Sequence, residues 1–262
     1  MSTGRDDLHT DEIVLSTCIG CGLPLTTGSK FCGHCGQGQN IEDPGQSERK
    51  WQSVRQVFIF FIICSIICCV FSFVDYFQTL TWSIVADGLF ASLSVTFFVL
   101  NWHRCRSLLL WPNFSWKRLL VYCSIAIACS FLVGFMVDWL NKSLFSKTFS
   151  YYYFYSRYRY GKEMAIFFIA VMPALFEELG FRGFLVTKLL DITEEKQAIL
   201  ISGFLFAIMH RSMLSLFWLI PFGIWLGYIR VKQNTIWYGL CIHFCFNFTA
   251  CVVEILQSAH YR

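Results

Sequence analysis

The chain has 262 residues, of which 56% are hydrophobic and only 15% are charged. Soluble domains carry about 25% charged residues, so this composition excludes a protein whose whole surface faces water. The net charge of +4 does not indicate a nucleic-acid partner, because basic residues in a membrane protein mainly set its orientation.

The first 40 residues are predicted to form a small zinc ribbon. Its candidate ligands are two CxxC pairs separated by ten residues, Cys18, Cys21, Cys32 and Cys35. This spacing is typical of a four-thiolate zinc site, in which each pair supplies two ligands. Gly22 and Gly36 follow the two pairs, and glycine lets the chain turn back tightly over a metal.

The zinc is predicted to be structural, because four protein ligands leave no open coordination position. Thiolates persist in a reducing compartment, so the N-terminus is predicted to be cytoplasmic. A redox dithiol is an alternative interpretation, and the ribbon is also a candidate docking site for a protein partner. His34 lies between two ligands and is predicted to be a bystander.

Residues 41–55 are predicted to be a linker, since they combine Gly, Pro, Gln and charges without periodicity. Apolar spans follow, and they predict an all-α fold: a polytopic transmembrane bundle of seven or eight helices behind the ribbon. The spans are 57–77, 84–102, 119–140, 164–190, 198–210, 214–228 and 235–256. The span 198–210 is short for a full crossing, which takes about 20 residues.

The spans fall into two groups around a tyrosine-rich stretch. Residues 56–140 are predicted to be N-terminal transmembrane helices, and 162–258 carry the candidate catalytic helices. Residues 141–161 contain most of the tyrosines and are predicted to lie at the membrane interface, where tyrosine rings are enriched. The expected location is therefore a cell membrane, with lipid as a partner.

Basic residues near the span ends predict the orientation. Positive charges concentrate in cytoplasmic loops. If the N-terminus is cytoplasmic, most of the basic residues that flank the spans lie on the cytoplasmic side. They are Arg49, Lys50, Arg55, Arg104, Arg106, Lys117, Arg118, Lys188, Lys196, Arg230 and Lys232. The basic stretch 142–162 conflicts with this orientation, and a re-entrant or interfacial segment would ease the conflict.

Three charged residues interrupt the span 164–190. Each charge at a helix centre costs roughly 2.5–3.5 kcal/mol on insertion scales, so such residues are paired or line a cavity. Glu178 and Arg182 are four residues apart and are expected to pair on one helix face. Glu177 points about 100° away around the helix, which leaves it available for another role. A buried packing network of all three is the alternative.

Two later spans carry polar groups as well. Phe206 and His210 form an FxxxH pattern at the end of one, and His243 and Asn247 form an HxxxN pattern inside another. Counted from the predicted cytoplasmic span ends, Glu177 and both histidines lie roughly 15–20 Å deep. Ionisable groups at one depth on three helices predict a functional site.

The ordered set EExxxR, FxxxH and HxxxN resembles the CPBP family of intramembrane proteases, which contains type II CAAX prenyl proteases and bacteriocin-processing proteases. The resemblance covers roughly residues 162–256. It implies a glutamic-type endopeptidase (EC 3.4) without a catalytic metal, acting on a membrane-associated peptide or protein. The implied catalytic residues are Glu177, Glu178, His210, His243 and Asn247, supported by Arg182 and Phe206.

The resemblance also implies roles for these residues. Glu177 and His210 would hold and deprotonate a water, because a carboxylate in apolar surroundings binds a proton more readily than one in water. His243 and Asn247 would donate hydrogen bonds to the oxyanion. Zinc catalysis is one alternative, although the sequence has no HExxH pattern. A non-catalytic immunity or scaffold protein and a proton-conducting transporter are the others.

Overall fold

The computed structural model describes residues 17–26, 29–39, 44–145 and 150–260. Among them are eight helices and no strand longer than a single bridge, which confirms the predicted all-α class. The helices are α1 (Pro44–Phe73), α2 (Leu80–Leu100), α3 (Trp102–Cys105), α4 (Trp116–Phe145), α5 (Gly161–Leu189), α6 (Glu195–Met209), α7 (Leu216–Gln233) and α8 (Trp237–His260). The fold divides into two units, Met1–Arg49 and Lys50–Arg262.

The described residues 17–26 and 29–39 of the smaller unit form two similar turns. In each turn the first cysteine, Cys18 or Cys32, accepts at its carbonyl a hydrogen bond from the backbone of the following glycine. Gly22 and Gly36 have φ angles of 74° and 73°, in the left-handed region that favours glycine. The predicted tight turns at both glycines are therefore confirmed.

Five of the described helices are long and apolar enough to cross a membrane. They are Gly45–Phe73, Leu80–Leu100, Trp116–Leu144, Gly161–Leu189 and Trp237–Ser258. The predicted spans 198–210 and 214–228 form α6 and α7, which do not meet this criterion. Their backbones approach closely at Gly203, where an added Cβ would lie 2.9 Å from the Ile224 nitrogen, so glycine lets the two helices pack tightly.

The first helix begins earlier than the sequence predicted. It starts at Pro44, inside the stretch 41–55 that was expected to be a linker. Proline is tolerated in the first helical turn because the amide there has no partner within the helix. The next turns contain Gln, Glu, Arg and Lys, which favour helix.

Helix α5 lies at the centre of the larger unit, whereas α1 and α4 expose long apolar faces. Seven of the eight residues in Glu178–Leu185 are buried, and this stretch is π-helical. In α1 and α4, side chains such as Phe58, Ile66, Leu132 and Phe135 are exposed. An apolar face of that kind suits contact with lipid.

Arg230 of α7 braces the π-helical stretch of α5. Its Nε donates to the Arg182 carbonyl at 3.0 Å, and its Nη2 donates to the Thr187 hydroxyl at 2.6 Å. Thr187 in turn donates to the Gly183 carbonyl. The orientation rule counts Arg230 among the flanking basic residues, but Arg230 is buried in the bundle, where it donates hydrogen bonds to the π-helical stretch and to Thr187.

The tyrosine-rich stretch folds back onto the bundle. Tyr152 and Tyr155 are buried against Ala165 of α5 and Cys251 of α8. Glu254 of α8 holds the stretch by accepting hydrogen bonds from the Tyr152 backbone and the Ser150 hydroxyl, at 2.9 and 3.0 Å. Some rings of the segment are therefore exposed, whereas Tyr152 and Tyr155 are buried against the bundle.

Candidate functional site

A buried ion network joins α5 to α8. Glu178 Oε1 lies 3.0 Å from Arg182 Nη1 and 3.0 Å from His243 Nδ1. Glu178 and Arg182 are both 0% exposed, and His243 is 2% exposed. The predicted pairing of Glu178 with Arg182 is confirmed, and Arg182 Nη2 also donates to the Gly223 carbonyl of α7 at 3.2 Å.

The ring of Phe206 in α6 packs against three polar side chains, those of Arg182, His210 and His243. The Arg182 guanidinium is 4.3 Å from the centre of its ring, a distance typical of a cation–π contact. The ring also contacts the imidazoles of His210 and His243, with centroids at 4.9 and 5.9 Å. Phe206 thus connects the FxxxH, EExxxR and HxxxN patterns physically.

Glu177 points away from Glu178 and lines a cavity of about 640 Å³. Its Oε2 lies 3.9 Å from His243 Nε2, which is too long for a direct hydrogen bond. This carboxylate oxygen is buried without a hydrogen-bond partner, and the side chain as a whole is 21% exposed. His243 therefore has one nitrogen on Glu178 and the other directed at Glu177.

His210 lines the same cavity as Glu177, at the end of α6. Its Nδ1 lies 3.0 Å from the Phe206 carbonyl. A carbonyl only accepts, so Nδ1 carries the hydrogen, and Nε2 of the neutral ring is an acceptor. The Nδ1 of His243 donates to the Glu178 carboxylate by the same reasoning.

Asn247 lies one turn beyond His243 on α8, but its amide is engaged elsewhere. Its Nδ2 donates to the Ile169 carbonyl at 3.0 Å. Ile169 belongs to a second π-helical stretch of α5, Ile166–Val171. Asn247 therefore ties α8 to α5, and it does not line the cavity that contains Glu177 and His210.

Gly239 makes room for the ion network. A Cβ at this position would lie 2.7 Å from Glu178 Oε2, and Glu178 cannot retreat because Arg182 and His243 hold it. We expect Gly239→Ala to be less stable than Gly134→Ala by about 1–3 kcal/mol, the usual cost of overpacking.

Gly134 is the matched control because it also lies inside a helix, and an added Cβ there meets nothing within 4 Å. Both substitutions gain the same helix propensity, so the difference reports the clash. Unfolding of the two variants in mixed micelles measures it, and equal stability would contradict the crowding of Glu178.

Sequence reasoning missed Asp87 of α2, a second carboxylate in the wall of the cavity. It also missed Gly239 and the bracing role of Arg230. Asp87 interrupts the apolar span 84–102, and the criterion that singled out Glu177 would have found it. The contacts of Gly239 and Arg230 depend on helix packing, for which the sequence carries no signal.

A second candidate site is the cysteine cluster of the smaller unit. The four ligand atoms of Cys18, Cys21, Cys32 and Cys35 lie within 4.8 Å of one another. The Sγ atoms of Cys18 and Cys35 are 3.6 Å apart, and those of Cys21 and Cys32 are 3.7 Å apart. Four sulfurs at about 2.3 Å from a tetrahedral metal ion would be separated by about 3.8 Å, so the cluster fits such an ion.

Backbone amides favour the thiolate form at two of the four cysteines, Cys18 and Cys32. The Cys21 amide, helped by the Gly20 amide, donates to Cys18 Sγ and lowers the pKa of Cys18 to about 6, against the opposing effect of burial. The Cys35 and His34 amides likewise lower the pKa of Cys32. The thiolate, which is the form that binds a metal, is thus favoured at Cys18 and Cys32. At Cys21 and Cys35, despite backbone hydrogen bonds at Leu23 and Gln37, burial and the neighbouring thiols raise the pKa.

We expect Cys32→Ser to lose most of its bound metal, whereas wild-type protein holds about one ion per chain, because the site needs four thiolate ligands. Elemental analysis of purified protein by mass spectrometry measures the content. Cys129→Ser is the control, since Cys129 is an exposed cysteine of α4 outside the cluster. Equal metal content in the two variants would contradict the assignment of the ligands.

Comparison with known families supports the resemblance seen in the sequence. A family model described as type II CAAX prenyl endopeptidase, Rce1-like, matches residues 159–249. This range contains every residue of the EExxxR, FxxxH and HxxxN set, and it leaves out the cysteine cluster and helices α1–α4. Neither the comparison with curated proteins nor that with solved structures found a match.

The matched segment is similar to the Rce1-like family, and the predicted family resemblance is confirmed at this level. The family is one of peptidases, which supports a protease. Together with the five apolar helices, it indicates a multi-pass membrane protein.

Proposed function

We propose that the protein is a glutamic-type intramembrane endopeptidase (EC 3.4) that cleaves a membrane-associated peptide or protein, with Glu177 as its general base. The observation that carries this proposal is the position of Glu177. Its carboxylate lies in the cavity wall, and His243 directs Nε2 at it from 3.9 Å while Glu178 holds the other nitrogen.

In the proposed reaction, Glu177 takes a proton from a water molecule, and the water oxygen attacks the carbonyl carbon of the scissile peptide bond. The carbonyl oxygen becomes an oxyanion. The C–N bond then breaks, and Glu177 returns the proton to the leaving nitrogen. The products are a carboxylic acid and an amine, and Glu177 is again an ionised carboxylate, so atoms and charge balance without a further reactant.

The two histidines have different proposed roles. His210 directs an acceptor nitrogen, Nε2, from the cavity wall, which suits it to hold the water together with Glu177. His243 donates Nδ1–H to Glu178, so only its doubly protonated form has a second hydrogen on Nε2 for the oxyanion. Glu178 and Arg182 orient His243, as a carboxylate orients the histidine of a catalytic triad.

Asn247 is proposed as a positioning residue in the state described here. Its amide holds the Ile169 carbonyl, so a contact with the oxyanion would require that bond to break when substrate binds. The bond joins α8 to the helix that carries Glu177, and this supports a role in fixing the distance between His243 and Glu177.

The proposed substrate enters the cavity, whose size falls within the usual range of ligand pockets, about 300–1,000 Å³. Rings from α1, α2, α5 and the tyrosine-rich stretch line it, including Phe71, Phe90, Tyr155 and Phe176. Such walls favour an apolar segment and keep bulk water away from the reacting groups.

The cysteine cluster is proposed to hold a structural zinc ion in a cytoplasmic N-terminal unit that binds a protein partner. Four thiolates are the usual ligand set of structural zinc, and a reducing compartment preserves them. We assign residues 1–40 to this unit and residues 162–258 to the catalytic helices. In this proposal no metal takes part in the reaction.

Comparison of membrane proteomes tests the proposal. Peptide N-termini are mapped in cells that carry the wild-type protein and in cells that carry Glu177→Gln. New N-termini that occur only with the wild type support an endopeptidase, and identical maps at equal expression favour a scaffold protein. Zinc catalysis predicts loss of cleavage when Cys32→Ser protein is treated with a chelator, whereas the proposed mechanism predicts none.

A further inference from the structure

The proposed mechanism leaves one carboxylate of the cavity without a role. Asp87 of α2 lines the same cavity as Glu177 and His210, and its helix packs against the part of α5 that carries Glu177. Tyr155 of the tyrosine-rich stretch lines this cavity as well. Helix α5 and the tyrosine-rich stretch therefore both contribute to the cavity wall that contains Asp87.

Asp87 has no cationic partner within the part of the chain that the structure describes. None of the ion pairs or hydrogen bonds found there includes its carboxylate. A carboxylate within a membrane helix is costly unless it is paired or hydrated. Its position on a cavity wall makes it accessible to a ligand.

The cavity wall carries more negative than positive side chains. Two of the lining residues, Asp87 and Glu177, have carboxylates. One lining residue, Arg211, has a guanidinium. The formal charge of these three side chains is −1. Arg211 is exposed, at the end of α6, so bulk solvent screens its charge more than that of the carboxylates.

Aromatic rings complete the surroundings of Asp87. Phe90 lies less than one turn further along α2, and Tyr155 faces the same cavity. Ring faces attract cations, so a carboxylate flanked by rings is a suitable binding site for an ammonium or guanidinium group that has left water.

We propose that Asp87 binds a lysine or arginine side chain of the substrate close to the bond that is cut. This inference rests on the proposed endopeptidase function and names a specificity-determining residue for it. Binding of the substrate's cation would neutralise the wall, so a substrate with a basic residue at one position would be favoured over its uncharged analogue.

A randomised peptide library tests the proposal. Purified protein in detergent is incubated with peptides that vary over all twenty residues near the centre, and mass spectrometry records the cleaved bonds. We expect lysine and arginine to be enriched at one position with wild-type protein. Asp87→Asn should lower that enrichment by about 10- to 100-fold, the range for loss of one hydrogen bond to a charged group.

Two variants serve as controls. Ser83→Ala alters the same wall of α2 one turn away without removing a charge, and it should keep the wild-type preference. Asp87→Glu keeps the charge and should retain the preference in part. Since Asn is close in shape to a protonated Asp, an unchanged preference in Asp87→Asn would overturn the proposal and favour a neutral Asp87.

The Asp87→Asn and Glu177→Gln variants together show whether the role of Asp87 or the endopeptidase function is wrong. If Asp87→Asn cleaves with the wild-type preference while Glu177→Gln does not cleave, the role of Asp87 is refuted and the endopeptidase stands. If Glu177→Gln cleaves the library as wild type does, the proposed function itself is refuted.

Discussion

Glu177→Gln is expected to lower kcat by about 10²- to 10⁴-fold, the usual contribution of a general base. The amide keeps the shape of the side chain but cannot accept the proton of the attacking water. The Michaelis constant should change little, because Glu177 is proposed to act on water rather than on the ground-state substrate. Cleavage of a peptide selected from the library measures both constants.

Glu163→Gln is the matched control for this experiment. Glu163 lies in the first turn of the same helix, is exposed, and takes no part in the site. The Glu163→Gln protein should cleave the peptide at the wild-type rate. A Glu177→Gln protein that folds normally and keeps more than about a tenth of wild-type kcat would remove the general-base assignment.

Arg182→Met is expected to lower the free energy of unfolding by about 3–5 kcal/mol, the cost of removing one partner from a buried ion pair. Methionine has a similar length but leaves Glu178 with His243 as its remaining partner. The cation–π contact with Phe206 and the hydrogen bond to the Gly223 carbonyl are lost as well. Denaturant titration in mixed micelles measures the change.

The double variant Arg182→Met with Glu178→Gln separates the causes of that loss. If the main cost is an uncompensated buried carboxylate, replacing that carboxylate by an amide should restore a large part of the stability. If the double variant is as unstable as the sum of the single ones, packing around Phe206 dominates instead. Proteolytic activity should stay low in both cases, because His243 loses its ionised partner.

The bundle itself could be predicted from the sequence with good accuracy. Long apolar stretches identified the helices that are long enough to cross a membrane, because lipid permits only internally hydrogen-bonded helices or closed barrels. The spacing of four residues between Glu178 and Arg182 predicted their ion pair, since such residues share one helix face. The cysteine cluster followed from its spacing in the same way.

Helix ends and the arrangement of the site depend on packing. The sequence predicted a linker where α1 already begins at Pro44, because local signals near a proline do not distinguish a loop from a first helical turn. The π-helical stretch Glu178–Leu185 shifts its side chains away from regular helical positions. Arg230 supports that stretch from another helix, and no local pattern indicates such a contact.

The sequence alone determined which residues are candidates for the chemistry and on which helices they lie, since residue type and periodicity are local properties. Only the tertiary structure decided their partners: Glu178 holds His243, Asn247 holds the Ile169 carbonyl, and Asp87 lines the same cavity as Glu177. These pairings join residues far apart in the chain. They are set by the rotation and packing of neighbouring helices, which depend on all the contacts of the bundle together.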